Sequence, residues 1–287
     1  MAQFLIEYEH IYYTYLGSQQ PALNNLNLRL QPGKKSVLIG QNGSGKTTLF
    51  LLANGLYKPQ KGKIYWKGKP LDYHRQALTA LRQKVGLVFQ NPEQQLVATT
   101  VEEDISYGLC NLELPTPEIA QRVEHSLLQF GLTELATQPV HNLSLGQKKQ
   151  VSLADVMVLQ PELLLLDEPT AYLDHLHTRQ LMAALEKIHN AGTTILIATH
   201  DLDLAYRWAD WIFVMDKGQL VLEGNPQDVF SQRQKMEDLQ LGVPLVFEIL
   251  SEISQSAETQ TASEAHPIAT QVLEQWQKRL LQLFKHF

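Results

Sequence analysis

The stretch "GQNGSGKTT", residues 40–48, decides the fold class of this chain. It satisfies the pattern G-x-x-x-x-G-K-[ST], and it lies between an apolar run that predicts a buried strand and a run that predicts a helix. A glycine-rich turn that holds no nucleotide is the alternative, and the lysine, the threonine and the strand–turn–helix context together disfavour it. The pattern therefore predicts a nucleotide-binding P-loop core of the α/β class.

This stretch also predicts which residues contact a bound nucleotide. Glycines let backbone N–H groups close around a phosphate, and the start of a helix adds the positive end of its dipole. Lys46 can reach the β- and γ-phosphates, and the hydroxyl of Thr47 is the expected Mg²⁺ ligand. The residues expected to form the cradle are Gly40, Gln41, Asn42, Gly43, Ser44, Gly45, Lys46, Thr47 and Thr48.

A second motif, "LLLLDE" at residues 163–168, completes the phosphate site. The four leucines predict a fully buried strand, and Asp167 at its end can hold Mg²⁺. Glu168 follows and could polarise an attacking water. An acidic pair after a strand can also be only a helix cap, but beside a phosphate cradle we interpret it as catalytic.

Further apolar runs extend the core on both sides of these motifs. "VGLVF" (85–89), "TILIAT" (194–199) and "WIFVM" (211–215) predict strands, and most are separated by helical stretches, which indicates a mostly parallel sheet. The opening runs "FLIEYEHIYYTY" and "LNLRL" predict strands, which we assign to an antiparallel β subdomain. The segment at about 90–160 reads as helical, which predicts a helical subdomain inserted into a nucleotide-binding domain of residues 1–225.

The C-terminal part divides into three predicted pieces. Residues 226–253 predict a small helical extension, residues 254–266 a polar linker, and residues 267–287 an amphipathic helix. The apolar stripe of that helix could pack on the protein or a second subunit, which we favour, or it could attach to a membrane surface.

Bulk composition excludes several classes of protein. The net charge of −6 argues against a nucleic-acid binder, and Cys110 as a single cysteine excludes an internal disulfide framework. The N-terminus lacks a signal-peptide pattern, and no apolar run approaches the roughly 20 residues that span a bilayer. We therefore expect a cytosolic protein, which would act at a membrane only through partner proteins.

The stretch "HNLSLGQKKQ", residues 141–150, carries a resemblance to a family. With the motifs above, it resembles the nucleotide-binding subunits of ATP-binding cassette (ABC) transporters, over residues 4 to about 230. The family's signature is usually Leu-Ser-Gly-Gly-Gln, so Leu145 departs from it, and Gln150 stands where a basic residue is common. The resemblance implies that Ser144, Gly146 and Gln147 cover an ATP held by the opposite subunit of a head-to-tail dimer.

Other positions acquire roles from the same resemblance. It implies that Gln90 senses Mg²⁺ and the attacking water, and that Asp174 contacts the partner's phosphate cradle. His200 would bond the γ-phosphate, although a lone histidine at a strand end is more often structural. Tyr15 would stack on adenine, with Tyr13 as the neighbouring alternative. The predicted catalytic set is therefore Glu168, His200, Lys46 and Gln90, and the predicted Mg²⁺ ligands are Thr47, Gln90 and Asp167.

The branch of the family is indicated by "QNPEQQLVATTVEEDISYGLCNLELP", with "GNPQDVF" and "GVPLVFEIL" near the C-terminus. These resemble the energy-coupling factor ATPases of micronutrient importers, most closely those for cobalt or nickel. The resemblance implies ATP and Mg²⁺ as cofactors and a peripheral site on the cytoplasmic face of the cell membrane. It also implies a dimer, of identical or related chains, with a transmembrane scaffold protein and a substrate-binding membrane protein. A vitamin importer of the same branch and a soluble ATPase of the same fold remain alternatives.

Two stretches allow a second interpretation. His175 and His177 in "DHLHT" could hold a metal ion, although surface residues are the more common outcome. Thr99 or Thr100 can cap a helix whose first turn carries Glu102, Glu103 and Asp104. We also hypothesise that these acids receive a basic helix of the membrane scaffold.

Overall fold

The computed structural model describes residues 4–112 and 114–249. The strands in this part of the chain are β1 Ile6–Tyr13, β2 Leu23–Leu30, β3 Lys35–Ile39, β4 Lys61–Trp66, β5 Lys69–Pro70, β6 Val85–Val88, β7 Leu163–Asp167, β8 Thr194–Thr199, β9 Trp211–Asp216 and β10 Gln219–Gly224. The α-helices are α1 Lys46–Ala53, α2 Arg75–Lys84, α3 Val101–Cys110, α4 Thr116–Gln129, α5 Leu145–Met157, α6 His175–Asn190, α7 Leu202–Trp208, α8 Pro226–Phe230 and α9 Arg233–Asp238.

The strands form two sheets. The larger has the order β10-β9-β3-β8-β7-β6, and every pairing in it is parallel except that of β10 with β9. The smaller has the order β2-β1-β4-β5 and is antiparallel. The prediction of an α/β core with a mostly parallel sheet and an antiparallel β subdomain is confirmed.

Strand β7 shows why its sequence is a run of leucines. All five of its residues are buried, as expected for a central parallel strand covered on both faces. Leu164 and Leu166 join the hydrophobic cluster on one side of the sheet, and Leu163 and Leu165 join the cluster on the other. The strand therefore delivers its last residue, Asp167, to the carboxyl edge of the sheet, where ligands bind in this architecture.

The segment between β6 and β7 is largely helical and contains α3, α4 and α5. Helix α3 begins with a capping box, because Glu103 N–H donates to Thr100 Oγ1 and Thr100 N–H donates to Glu103 Oε2. Of the two threonines proposed as its cap, Thr100 is therefore the one used. Asp104 is buried and accepts from the backbone N–H groups of Val97 and Ala98, which ties the preceding loop to the helix. The hypothesis that Asp104 receives a partner helix is therefore wrong, because its carboxylate is not on the surface.

Some elements were not singled out in the sequence. Strand β4 begins with Lys61, Gly62 and Lys63, all exposed, so it lacks an apolar run, and β10 is only partly buried. Helix α8 confirms the helix predicted at "PQDVF", and residues 245–249 are also helical. The predicted linker (254–266) and amphipathic helix (267–287) lie outside the described residues. In residues 4–112 and 114–249, no helix is both long enough and apolar enough to cross a membrane.

Candidate functional site

The turn between β3 and α1 has the backbone that a phosphate cradle requires. Gly45 has φ +106°, and a Cβ there would lie 2.5 Å from the carbonyl oxygen of Ala22. Glycine is therefore needed at this position for both its conformation and its lack of a side chain. Among the described residues, the buried hydroxyl of Ser44 has no hydrogen-bond partner, which leaves it available to a phosphate.

A cleft of about 640 Å³ opens beside this turn. This volume lies within the range of small-molecule sites, roughly 300–1,000 Å³. Predicted site residues that line the cleft are Tyr15, Asn42, Gly43, Gly45, Lys46, Thr47, Thr48, Gln90, Asp167, Glu168 and His200. The structure therefore brings together residues from five separate segments of the sequence.

Lys46 is deeply buried at the base of the cleft, with 7% of its surface exposed. Its Nζ donates to the carbonyl oxygens of Gly40 (2.7 Å) and Gln41 (3.0 Å). Burial lowers its pKa, while the charges of Glu168 and Asp167 act in the opposite direction. A desolvated ammonium group in this position suits the binding of phosphate oxygens.

Thr47 and Asp167 meet at the position expected for Mg²⁺. The hydroxyl of Thr47 donates to Asp167 Oδ2 at 2.6 Å, and Gln90 lines the same cleft. Burial raises the pKa of Asp167, and the hydrogen bond from Thr47 opposes that rise. A hydroxyl, a carboxylate and an amide are hard oxygen donors, which is the chemistry that Mg²⁺ prefers, so these residues fit the ion.

Glu168 is held at both carboxylate oxygens. Thr199 Oγ1 donates to its Oε2 at 3.1 Å, and Nδ1 of His200 lies 2.9 Å from its Oε1. Its backbone has φ +45°, a left-handed conformation that costs a residue with a side chain of order 1–3 kcal/mol. Such strain persists only where the surroundings hold it, and here it aims the carboxylate into the cleft.

The two candidate tyrosines for adenine are distinguished by their positions. Tyr15 lines the cleft, is 38% exposed, and its hydroxyl lies 2.9 Å from Thr48 Oγ1. Tyr13 is not among the lining residues and instead stacks on Tyr57, with ring centroids 5.4 Å apart. The structure therefore favours Tyr15 as the residue that stacks on the base, and the rings of Tyr13 and Tyr57 pack edge-to-face against it.

Gly40, Gln41 and Ser44 belong to the cradle without lining the cleft, and four predicted residues lie outside both: Ser144, Gly146, Gln147 and Asp174. Ser144 caps α5 by a capping box, since its hydroxyl accepts from Gln147 N–H and its N–H donates to Gln147 Oε1. Gly146 lies in the first turn of α5, where a Cβ would approach His177 Cδ2 to 2.7 Å. Asp174 caps α6 by accepting from His177 N–H, and this bond lowers the pKa of Asp174. These residues form a second group at the starts of α5 and α6.

One of the two histidines considered as metal ligands, His177, has another role. Nδ1 of His177 lies 2.8 Å from both carboxylate oxygens of Asp174. No group of three potential metal ligands occurs in residues 4–112 and 114–249. We therefore assign His177 to the support of Asp174 and of the turn at Gly146.

The sequence profile of ABC transporters matches residues 23–171. A putative ABC transporter ATP-binding protein of Nostoc is 66% identical over 249 residues, which are 87% of this chain and 91% of that protein. The chain belongs to the ABC transporter ATP-binding family. It is an ATPase of that family, and the predicted ATPase class is confirmed.

Other relatives indicate which branch of the ABC family this ATPase resembles. The energy-coupling factor transporter ATP-binding protein EcfA2 of Clostridium perfringens is 39% identical over 256 residues, which are 88% of this chain and 90% of that protein. The corresponding EcfA protein of Methanocaldococcus jannaschii is 40% identical over 247 residues, covering 86% and 88% of the two chains. The predicted resemblance to the energy-coupling factor branch is therefore confirmed.

Solved structures agree with this placement of the ABC ATPase. CbiO1 of Clostridium perfringens, described as part of the ABC transporter complex CbiONQ, has a TM-score of 0.72 and 39% identity, covering 83% of this chain and 95% of its own. The cassette MJ0796, solved as a dimer in a post-hydrolysis state with ADP and Pi, has a TM-score of 0.70 and 27% identity, covering 77% and 98%.

Some contributors to the site were missed in the sequence. Thr199 is the last residue of an apolar run, and only its contact with Glu168 reveals a role. Tyr172 lines the cleft, is 83% exposed and has φ +63°, which no local pattern signals. Lys149 follows the signature in a polar stretch, and nothing in the sequence indicates that it is buried.

Proposed function

We propose that this chain is the ATP-hydrolysing subunit of an energy-coupling factor importer for a transition-metal ion, cobalt or nickel. The branch is supported by relatives at 39–40% identity whose names carry that function. The metal is supported by the similarity to CbiO1 and by the stretch between Gln90 and Pro115. A vitamin importer of the same branch is the alternative cargo.

One observation carries the proposed mode of action. Lys46, Thr47 and Glu168 share a cleft whose lining does not include Ser144 or Gly146. The start of α5 nevertheless has an exposed serine and the backbone of a first helical turn, which suit a phosphate. Each chain therefore holds two half-sites. A head-to-tail pair of chains would join each cleft to the partner's signature turn, which is the start of α5 with Ser144, Gly146 and Gln147.

In the assembled site, some residues of the cleft would bind the nucleotide and others would act in its hydrolysis. Lys46 and the backbone of the cradle bind the β- and γ-phosphates, and Tyr15 stacks on the base. Glu168 accepts a proton from a water whose oxygen attacks the γ-phosphorus, and the bond to the ADP oxygen breaks. His200, whose Nδ1 lies 2.9 Å from Glu168 Oε1, would donate to the γ-phosphoryl oxygens through its other ring nitrogen. A bound Mg²⁺, held by Thr47 and Asp167 with Gln90 nearby, would supply charge neutralisation for the phosphates.

We place the ATPase peripherally on the cytoplasmic face of the membrane, with a scaffold protein and a substrate-binding protein as partners. Loss of the γ-phosphate separates the two chains, and the helical segment of α3–α5 would transmit that motion. A soluble ATPase acting on nucleic acid is the second candidate, and the net charge of −6 disfavours it.

Co-purification tests the function directly. Expressed with the membrane proteins of its operon, the chain should be recovered from membranes in a complex, and elemental analysis should find cobalt or nickel bound to the membrane partner. A bound vitamin would establish the alternative cargo. Recovery only in the soluble fraction, with salt-sensitive binding to DNA or RNA, would contradict the proposal.

Charge reversal on α3 tests the surface that meets the scaffold. Glu102 and Glu103 are exposed in the first turn of α3, so Glu102→Lys with Glu103→Lys should abolish co-purification and leave ATP affinity within about twofold. Because Glu103 also closes the capping box, Glu103→Gln should retain assembly, since glutamine can serve in that box.

The matched control places the same charge change elsewhere in the helical segment. Glu124→Lys with Glu134→Lys alters two exposed acids of that segment and should leave assembly intact. Undiminished assembly of the Glu102 and Glu103 double variant would eliminate α3 as the docking surface.

A further inference from the structure

Lys149 is a buried cation whose hydrogen bonds are all to backbone atoms. It lies on α5 and is 5% exposed. Burial lowers its pKa to about 8, and the charge of Glu168 acts in the opposite direction. Taking an ammonium group out of water is costly, so its retention here points to bonds that a neutral side chain would not supply.

Those bonds go to one short segment after β7. Lys149 Nζ donates to the carbonyl oxygens of Pro169 and Ala171 at 2.8 Å each, and to that of Glu168 at 3.3 Å. An ammonium group has three N–H donors, and this arrangement uses all three. The segment 168–171 is thus wrapped around a single atom of α5.

This attachment completes the support of Glu168. Its N–H donates to Ala198 at the end of β8 at 2.8 Å, and its carbonyl oxygen accepts from Lys149. The left-handed backbone at Glu168 is therefore held from the sheet on one side and from α5 on the other. A residue in a strained conformation needs such support in order to stay there.

The other end of the connection is the signature turn. Ser144, which caps α5, precedes Lys149 by five residues, which is about 7.5 Å along a helix. Gly146 packs against His177 of α6, the helix that follows the segment that Lys149 holds. One rigid stretch of α5 therefore joins the turn at Ser144 to the backbone of Glu168.

We propose that Lys149 is a positioning residue that ties the signature turn to Glu168, and so couples the two half-sites of one chain. Closure of the turn at Ser144 on the partner's ATP then sets the water-activating carboxylate in the chain's own cleft. The inference rests on the proposed ATPase mechanism, in which these two half-sites belong to different composite sites. Lys149 is not among the residues that line the cleft, and it acts through the backbone that it holds.

Lys149→Met tests this role, because methionine fills similar space and donates no hydrogen bond. In the purified dimeric protein, kcat should fall about tenfold or more, while the affinity for ATP stays within about threefold. The Hill coefficient for ATP should fall toward one, because the two sites lose their connection. Lys149→Gln, whose amide can still donate, should recover part of both quantities.

Lys148→Met is the matched control. Lys148 is the adjacent residue of α5, and its Nζ pairs with Glu93 at 2.9 Å instead of with the segment 168–171. It should keep kcat and the Hill coefficient close to those of the wild type. A loss of kcat as large as that of Lys149→Met would show that any change of charge on α5 has this effect, and would overturn the proposal.

The remaining outcomes are distinct. Wild-type kcat and Hill coefficient in Lys149→Met would overturn the inference, and so would a parallel loss of ATP affinity and kcat, which indicates general damage. If the methionine variant does not fold, Lys149→Gln replaces it, with an expected loss of about threefold in kcat at unchanged affinity. Wild-type kcat and a wild-type Hill coefficient in that variant would likewise overturn it. Absence of ATPase activity in the wild type would refute the proposed function itself.

Discussion

Glu168→Gln should bind ATP as tightly as the wild type and hydrolyse it about 10²–10⁴ times more slowly. Glutamine has nearly the same shape and can still accept the hydrogen bond that Thr199 donates to Oε2. It cannot take a proton from water, so the step that cleaves the γ-phosphate is the one lost. With ATP and Mg²⁺ present, the variant should therefore accumulate as a closed dimer.

The measurement combines single-turnover hydrolysis with size-exclusion chromatography in ATP. Glu124→Gln, the same change at an exposed site on α4, is the control and should behave as the wild type. Normal turnover by Glu168→Gln would remove Glu168 from the role of water activation. A variant that binds ATP, fails to hydrolyse it and stays monomeric would contradict the closed dimer.

Lys46→Ala should lose both affinity and turnover. Hydrogen bonds from a charged donor contribute about 1.5–3 kcal/mol, so ATP affinity should fall by roughly 10- to 150-fold. Turnover should fall further, by at least about 10², because the lysine also stabilises charge that grows on the γ-phosphoryl group. Isothermal titration and steady-state ATPase assays measure the two effects separately.

Lys69→Ala removes an exposed lysine of β5 and serves as its control. The circular dichroism spectrum of Lys46→Ala should match that of the wild type, because Lys46 contacts only the cradle carbonyls among the hydrogen bonds of the described residues. Retained turnover in Lys46→Ala would mean that the glycine-rich turn is not the phosphate site.

The residues that the sequence predicted well are those whose chemistry is local. A strand–turn–helix around Gly40–Thr48 and a strand of leucines ending in Asp167 constrain the backbone by themselves, so the sequence alone is enough to place both. The capping box at Thr100 is equally local, since its partner is three residues away. Such features need only sequence spacing and short-range geometry.

The residues that were missed depend on contacts between distant segments. Lys149 acquires its role only when α5 packs beside the residues after β7, about 20 positions later in the chain. Strand β4 starts with polar residues that are exposed to solvent, so its sequence contains no apolar run that would predict a strand. Neither the alternation of apolar and polar residues nor the residue types reveal such contacts or such strands.

The account's central claim is that each ATP site is built from two chains. Lys46→Ala damages only the cradle, and Ser144→Arg would block only the signature turn, so each variant alone should be inactive. Mixed in equal amounts, they should recover at most about one quarter of wild-type activity, because half of the random dimers contain one site with both parts intact. The coupling proposed for Lys149 lowers this figure by up to about tenfold but does not abolish it, because the chain with the intact cradle carries the blocked turn. Recovered ATPase activity in the mixture is the predicted result. A mixture as inactive as its components, with mixed dimers demonstrated by differently tagged chains, would contradict the claim.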